Sequence, residues 1–287
     1  MYNRDIMIDT AVADRFRSDI EAIVQKRHQF GADFWATPDG RIGKGSPFST
    51  RDCALMLKEL GVPLSDPLLV GAAELAFKLW RQDGRFRSFP RGTIYPCHTI
   101  GTARLLCYLG HAGDERLKHT FQHLLDSQHS DGGWRCRKFS FGRGPETEYS
   151  NPGPTLEALD AFRFSDSVNT DPRLDRAVEF LLYHWEVKIP LGPCHFGIGT
   201  LFNKVEYPFL RYNLFYYVYV LSFFDRGKKD RRFIEAYDSL SAKLSGGKIV
   251  IENCNRKLRE LEFCRAGISS DLATRRYLEV KSNLELD

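Results

Sequence analysis

The chain has 287 residues, of which 43% are hydrophobic, so it can bury a sizeable core as one large domain or two ordinary ones. Its 41 basic and 37 acidic residues give a net charge of only +4, which does not indicate a polyanionic partner, and the sequence contains no nucleic-acid-binding motif. The start, MYNRDIMIDT, has no apolar run of the kind a secretory signal needs, so we expect a cytoplasmic protein whose seven cysteines stay reduced.

An amphipathic stretch near residues 12–30 predicts a first helix, and four prolines then predict the starts of four more. The prolines lie 49, 56 and 56 residues apart, and an apolar run follows each of them: Pro47, Pro96, Pro152 and Pro208. Two glycines, Gly61 and Gly110, stand 14 residues after the first two prolines, where a left-handed residue ends a helix. These four helices are apolar around most of their circumference, which is typical of inner helices.

A second set of helices is predicted between them by four aspartates placed as N-caps: Asp66, Asp114, Asp171 and Asp230. After each aspartate, apolar residues recur at helical spacing along one stripe, and the opposite face is polar. This pattern is typical of outer helices. A last amphipathic stretch, Ser269 to Val280, predicts a final helix.

The turn QHSDGGW follows the second of these outer helices and has counterparts after the others, such as RQDGRF and LSGGK. Gly132 or Gly133 can take the positive φ that ends a helix, Gln128 can bond backbone groups there, and Trp134 can fill the space between helices. An ordinary Asp-Gly turn is the alternative. Together with the prolines and aspartates, the turns predict an all-α fold, an α/α toroid of about five helical hairpins, as a single domain over residues 1–287.

The Gln…Asp-Gly-Gly-Trp element from Gln128 to Trp134 resembles the QW repeat of the squalene and oxidosqualene cyclases and the related repeat of protein prenyltransferase β subunits. The stretch HFGIGTLFNKVEYPFLRYNL is similar to compact bacterial proteins of the same kind. The resemblance implies a toroid that holds an isoprenoid chain in an apolar lumen. The DxDD, DDxxD and Asp-x-Cys motifs of the catalytic relatives are absent, and Asp52-Cys53-Ala54 lacks the threonine and glutamate of a DCTAE motif. Whether the chain is an enzyme is therefore left open.

Two carboxylates on predicted inner helices, Asp52 and Glu157, are the candidate catalytic acids. A proton-donating carboxyl needs a raised pKa from desolvation, whereas the first turn of a helix favours the charged form. The alternative is that both are helix-start carboxylates with backbone or arginine partners, for which Arg51 and Arg104 are placed. The residues expected to line the lumen are Phe48, Cys97, His98, Arg211, Tyr212, Phe215, Tyr216 and Tyr219.

The cysteine and histidine pattern is weak as a metal signal. Cys97-His98 and Cys194-His195 follow prolines, and Cys136 and Cys254 follow outer-helix turns, so thiols of successive repeats can approach one another. Zinc needs three or four such ligands, and no CxxC or HxxxH spacing occurs. We therefore predict no metal ligand and no cofactor, with zinc or magnesium as an alternative to buried, inert thiols.

We expect a prenyltransferase-like or squalene-cyclase-like protein that binds or transforms an isoprenoid or other apolar ligand in the lumen. The alternative is a non-catalytic toroid module that binds a lipid or a protein partner. Basic loops, among them RGKKDRR from Arg226 to Arg232, can contact a diphosphate, a peripheral membrane surface or a protein, unless they are simply solvated. An (α/α) barrel glycosidase would need a polar cleft with two carboxylates, which the apolar inner helices disfavour.

Overall fold

The computed structural model of the chain describes residues 11–285, which are mostly helical and include a single two-stranded sheet. The prediction of an all-α fold is confirmed. Closure of the hairpins into a toroid and a single domain over residues 1–287 stay predictions. Residues 1–10, on which the exclusion of a secretory signal rests, lie outside the described residues.

The helices follow one another with short connections and two very short strands near the end of the chain. The helices are α1 (Arg17–Val24), α2 (Thr50–Glu59), α3 (Pro67–Phe77), α4 (Pro96–Tyr108), α5 (Glu115–Asp126), α6 (Pro152–Phe162), α7 (Pro172–Val187), α8 (Leu214–Leu221), α9 (Asp225–Lys228), α10 (Arg231–Ser241) and α11 (Asp271–Glu285). The strands β1 (Leu244–Ser245) and β2 (Lys248–Ile249) pair antiparallel, with Leu244 opposite Ile249.

The chain folds as two compact units. The first contains residue 11 to Thr120 together with Asn255–Phe263, and the second contains Phe121–Cys254 together with residues 264–285. Within the first unit, α2 packs against α3 and α4; within the second, α6 packs against α7 and α8, and α8 also packs against α10 and α11. The predicted inner helices α2 and α6 thus each contact the outer helix that follows and the next predicted inner helix, and α8 contacts the outer helix α10 and the final helix α11.

The four predicted aspartate N-caps are confirmed. Each carboxylate accepts a hydrogen bond from the backbone N–H two residues later, at 2.8 Å for Asp66 and 2.9 Å for Asp114, Asp171 and Asp230. Such a cap satisfies an N–H group that has no partner inside the helix and contributes about 1 kcal/mol. The outer helices α3, α5, α7 and α10 therefore begin where the sequence predicts.

The inner helices are buried around most of their circumference, as predicted. In α8 all eight residues are buried, and in α6 every residue is buried except Glu157. Gly61 and Gly110 follow α2 and α4 with φ of 83° and 84°, in the left-handed region that glycine adopts without strain. Their predicted role as helix ends is confirmed.

The predicted helix starts at Pro47 and Pro208 are wrong. Helix α2 begins at Thr50 and α8 at Leu214, because side chains nearer to each helix cap it: Ser49 accepts from the Asp52 N–H, and Asn213 accepts from the Tyr216 N–H. Pro96 and Pro152, in contrast, are the first residues of α4 and α6. Helix spacing after Asp230 continues in the sequence as far as Leu244, but α10 ends at Ser241, because LSGGK forms a β-hairpin turn with Gly246 and Gly247 at positive φ.

The QHSDGGW turn closes a helical hairpin through backbone contacts. Gly132 has a φ of 95°, and the Gln128 side-chain amide donates to the carbonyl oxygens of Gly132 (2.5 Å) and Arg173 (2.8 Å). The Trp134 indole N–H donates to the Leu124 carbonyl at 2.9 Å, and its ring is buried. The roles predicted for Gln128 and Trp134 are confirmed. Gly132 has the predicted positive φ, but it lies six residues beyond Asp126, the last residue of α5, and so does not end that helix.

None of the helices between residues 11 and 285 combines the length and apolarity that crossing a membrane requires.

Candidate functional site

Asp52, in the first unit, takes part in the cap of its own helix. Its Oδ2 accepts a hydrogen bond from the Ser49 hydroxyl at 2.8 Å, and the Ser49 oxygen accepts one from the Asp52 N–H at 3.3 Å. This reciprocal pair is what a helix-start carboxylate makes. The geometry favours that alternative for Asp52, and its role as a catalytic acid stays a prediction.

Three residues predicted to line the lumen also lie in the first unit. Phe48 is buried, with the Lys26 ammonium 5.0 Å from its ring centroid. Cys97 and His98 are half-buried in the first turn of α4. Burial, followed by the nearby charge of Arg51, lowers the pKa of His98 to about 4, so its imidazole is neutral at pH 7.

Arg211 and Tyr212, in the second unit, are bound to other side chains. The Arg211 guanidinium donates twice to Glu206, at 2.9 and 2.6 Å. The Tyr212 hydroxyl lies 2.8 Å from His184 Nδ1, and His184 Nε2 lies 3.1 Å from the Ile189 carbonyl oxygen. Because a carbonyl oxygen only accepts, Nε2 carries the imidazole proton and Nδ1 accepts from Tyr212.

Asp160 is the centre of a buried group of charged and aromatic side chains in the second unit. This group, the Asp160 cluster, consists of Asp160, Arg163, Phe209, Tyr216 and Tyr219. The Asp160 carboxylate has no solvent exposure; it accepts from the Tyr216 hydroxyl at 2.8 Å and from Arg163 Nε at 2.7 Å. The negative charge of Asp160 on α6 is thus matched by the guanidinium of Arg163, the residue that follows α6, and by a phenol on α8.

Aromatic rings surround this charged pair. The Phe209 ring stacks on Tyr216 with a centroid distance of 5.1 Å and lies 4.9 Å from Tyr219, and the Arg163 guanidinium carbon is 5.3 Å from the Tyr219 centroid. The Tyr219 hydroxyl donates to Glu279 on α11 at 2.8 Å. Two of the predicted lumen residues, Tyr216 and Tyr219, therefore share one environment, and Phe215 on the same helix contacts Phe209 at 4.9 Å.

The Asp160 cluster stabilises the positive charge of the Arg163 guanidinium. Two donors hold the Asp160 carboxylate, and hydrogen bonds from a guanidinium and a phenol favour its charged form. The faces of the surrounding rings also attract cations. Asp160 is accordingly placed as an electrostatic residue and is poorly suited to donate a proton.

Sequence reasoning selected Glu157 on α6 and missed Asp160, one turn further along the helix. Glu157 is half-buried, whereas Asp160 is fully buried. The available signal was the spacing of Asp160 and Arg163, an opposite-charge pair three residues apart at the end of a mostly apolar helix.

A separate pocket of about 480 Å³ opens beside α7 and α10 in the second unit. Four basic side chains line it: Lys188, Lys229, Arg231 and Arg232. Three acidic side chains and one indole complete the lining: Glu186, Asp230, Glu235 and Trp185. The predicted basic loop Arg226 to Arg232 thus contributes its last residues to a pocket.

Trp185 differs from the other tryptophans in the described part of the chain. The indole N–H groups of Trp35, Trp80 and Trp134 donate to carbonyl oxygens of Ile23, Arg116 and Leu124 at 2.9, 3.1 and 2.9 Å. Trp185 is 4% exposed and lines the pocket, and its N–H makes no hydrogen bond to any described residue. A donor that is paired in the other repeats is therefore available to a ligand in this one.

The acidic side chains of the pocket are largely engaged by its arginines. Arg232 donates to Asp230 at 2.9 Å and to Glu179 at 2.8 Å, and the hydrogen bond to Asp230 is the main cause of its raised pKa. Arg231 lies 3.5 Å from Glu235. The Lys188 ammonium lies over the Trp185 ring, 5.1 Å from its centroid.

Within residues 11–285, no three His, Cys, Asp or Glu side chains are grouped so that they could hold a metal ion. No protein-family model matches the chain, and no curated protein is significantly similar to it.

Proposed function

We propose that the protein binds an isoprenoid or similarly apolar ligand, with the Asp160 cluster as the charged centre of the site and with its helical hairpins closed into an α/α toroid. The resemblance of the element from Gln128 to Trp134 to the QW repeat supports this proposal. The observation that carries it is the hydrogen bond between Tyr216 and Asp160, which joins two inner helices inside a wall of aromatic rings.

In this proposal the Asp160 carboxylate and the faces of Tyr216 and Tyr219 stabilise positive charge on the ligand, whether the charge is permanent or develops during a reaction. Interactions that act on developing charge would accelerate a carbocation reaction. The proton donor of such a reaction would be a different group, and Asp52 and Glu157 remain the candidates for it.

Phe209 is the side chain that an apolar ligand would displace. It lies in the irregular segment before α8, where no helical hydrogen bonds hold it, and its ring covers Phe215, Tyr216 and Tyr219. A chain of carbon atoms in the position of this ring would contact the same aromatic faces. In this proposal Phe209 covers the site, and the ligand binds by displacing its ring.

Native mass spectrometry of gently purified protein, followed by organic extraction, tests this function. We expect one apolar ligand per chain. Phe209→Leu should change its occupancy, whereas Phe180→Leu, at an equally buried position on α7, should not. Ligand-free protein that also takes up no added isoprenoid would reject the proposal.

A second candidate function, favoured by Trp185, is a non-catalytic module that binds acidic membrane lipids. The phosphate of a lipid headgroup would accept the Trp185 N–H and lie beside the Lys188 ammonium. The pocket carries one more basic than acidic side chain, which agrees with an anionic ligand.

Vesicle flotation separates this candidate from the first. We expect binding to phosphatidylcholine vesicles that contain phosphatidylserine and none to phosphatidylcholine alone. Trp185→Phe and Lys188→Gln should weaken binding several-fold, whereas Lys138→Gln in an exposed basic loop outside the pocket should leave it unchanged. Equal losses for Lys138→Gln and Lys188→Gln would show that net charge alone is responsible.

A further inference from the structure

Two cysteine thiols of the second unit are close to each other in sequence and in space. The Cys254 thiol donates to Cys264 Sγ across 3.8 Å, and the two residues are separated by ten positions. A disulfide has a sulfur–sulfur distance of about 2.05 Å, so the sulfur atoms need to approach each other by about 1.8 Å. A rotation of the side chains can supply a movement of this size.

The two thiols differ in exposure and therefore in reactivity. Cys264 is fully buried, whereas Cys254 is half-buried and can be reached by a small oxidant. Contact with the Cys264 thiol is the main cause of a lowered pKa at Cys254, while burial raises the pKa of Cys53 and of Cys194. Because the thiolate is the nucleophile, Cys254 is the more reactive of these three cysteines.

Charged and polar groups next to Cys254 complete its environment. The neighbouring Asn253 amide donates to Glu206 at 2.8 Å, and Glu206 accepts both hydrogen bonds from Arg211. The Glu206 carboxylate raises the pKa of the Cys254 thiol, and the Arg211 guanidinium lowers it by less.

We propose that Cys254 and Cys264 are a reversible disulfide site that reacts with peroxides. The Cys254 thiolate attacks one peroxide oxygen, so that a sulfur–oxygen bond forms, the oxygen–oxygen bond breaks, and the departing hydroxide takes a proton to become water. The Cys264 thiol then attacks the Cys254 sulfur, the sulfur–sulfur bond forms, and the sulfenic oxygen leaves as a second water. In total two thiols lose two electrons and two protons, and a dithiol reductant reverses the reaction.

The disulfide between Cys254 and Cys264 would close a loop that contains residues 255–263. Residues 255–263 belong to the first unit, although the chain on both sides of them belongs to the second. Within the first unit, the N–H groups of Glu262 and Phe263 donate to the Asp19 carboxylate at 2.9 and 2.8 Å. Oxidation would fix both ends of this segment and reduce its conformational freedom.

Differential alkylation of the full chain after treatment with hydrogen peroxide, followed by peptide mass spectrometry, tests the site. We expect the peptides of Cys254 and Cys264 to become linked with loss of two hydrogens, roughly tenfold faster than half-buried Cys194 is oxidised, and dithiothreitol to restore both thiols. The measurement needs no variant, so it does not depend on how a substitution folds. Oxidation of Cys194 while Cys254 and Cys264 remain thiols would overturn the proposal.

Two variants test the order of the steps. In Cys264→Ser, dimedone should trap a sulfenic acid on Cys254, and in Cys254→Ser the loss of Cys264 thiol should slow by roughly tenfold or more. Cys107→Ser, at a buried thiol in the first unit, is the matched control and should leave formation of the disulfide unchanged. Disulfide rates equal in wild type and in a variant that lacks one of the two cysteines would show that another pair is being oxidised.

Discussion

The Tyr216 hydroxyl donates a hydrogen bond of 2.8 Å to the carboxylate of Asp160, a residue 56 positions earlier in the chain. Both side chains are buried, on helices that the sequence pattern predicts to be inner. The contact therefore links two repeats through a polar bond in an apolar core, where an unpaired partner would be costly.

Tyr216→Phe removes the phenol donor to the Asp160 carboxylate and leaves the hydrogen bond from Arg163 in place. A hydrogen bond to a charged group contributes about 1.5–3 kcal/mol, so we expect a loss of that size in the free energy of unfolding. Tyr217→Phe is the matched control, because the Tyr217 hydroxyl donates to the neutral Leu181 carbonyl at 3.1 Å, and it should cost about 1 kcal/mol. Urea denaturation measures both, and equal losses would argue against a charged Asp160.

Asp160→Ala should be far more destabilising than loss of an exposed aspartate. It leaves the Arg163 guanidinium, 12% exposed, without its carboxylate, and breaking a buried pair in this way costs about 3–5 kcal/mol. Asp126, 60% exposed and 3.2 Å from Arg173, is the control; Asp126→Ala should cost about 0–1 kcal/mol. Denaturant titration of the two variants measures their free energies of unfolding. Equal losses for Asp160→Ala and Asp126→Ala would contradict a buried charge at Asp160.

His184 should make stability depend on pH. Burial lowers its pKa to about 4, against an ordinary value of 6.5, so the folded state favours the neutral imidazole. The unfolded chain binds a proton first as the pH falls, and about 3 kcal/mol of stability, fully present above pH 6.5, should be lost between about pH 6.5 and pH 4.

His184→Gln should remove this contribution, since its amide can still donate to the Ile189 carbonyl but does not titrate. The free energies of unfolding of wild type and variant, measured at both ends of that pH range, give the part of the pH dependence that His184 causes. His28→Gln, at a side chain 71% exposed, is the control. An unchanged pH dependence in His184→Gln would mean that other groups cause it.

Gly132→Ala should destabilise the QHSDGGW turn. At a φ of 95° a side chain is strained, and the new Cβ would lie 2.3 Å from the main-chain oxygen of Arg176. The two effects together should cost about 2–4 kcal/mol. Gly113→Ala, where no atom lies within 4 Å, should change stability by about 0.5 kcal/mol or less. Thermal or chemical denaturation of both variants is the measurement, and similar values would contradict the clash.

Local signals in the sequence predicted much of the helical framework. The cap at Asp66 and the helix end at Gly61 depend only on the backbone within a few residues, so both roles could be inferred from residue type and position. The helix starts predicted at Pro47 and Pro208 are wrong because a proline fits both the start of a helix and the turn before it. The capping residues Ser49 and Asn213 determine where these two helices begin.

The contacts that give the candidate site its chemistry depend on how distant segments pack. Helical spacing places Glu157 and Asp160 on one inner helix, but only the packing of α8 determines which carboxylate meets Tyr216. The available indole N–H of Trp185 and the approach of Cys254 to Cys264 depend likewise on the paths of loops, for which periodicity gives no signal.

The hydrogen-bond partners of the Asp19 carboxylate are synthesised long after Asp19 itself. It is 4% exposed, and it accepts hydrogen bonds from the N–H groups of Glu262 and Phe263, about 240 residues later in the order of synthesis. A nascent chain that has reached only residue 254 cannot supply these donors, so Asp19 must stay hydrated or be protected by other proteins until then. The first unit therefore acquires these two hydrogen bonds only after Glu262 and Phe263 have been synthesised.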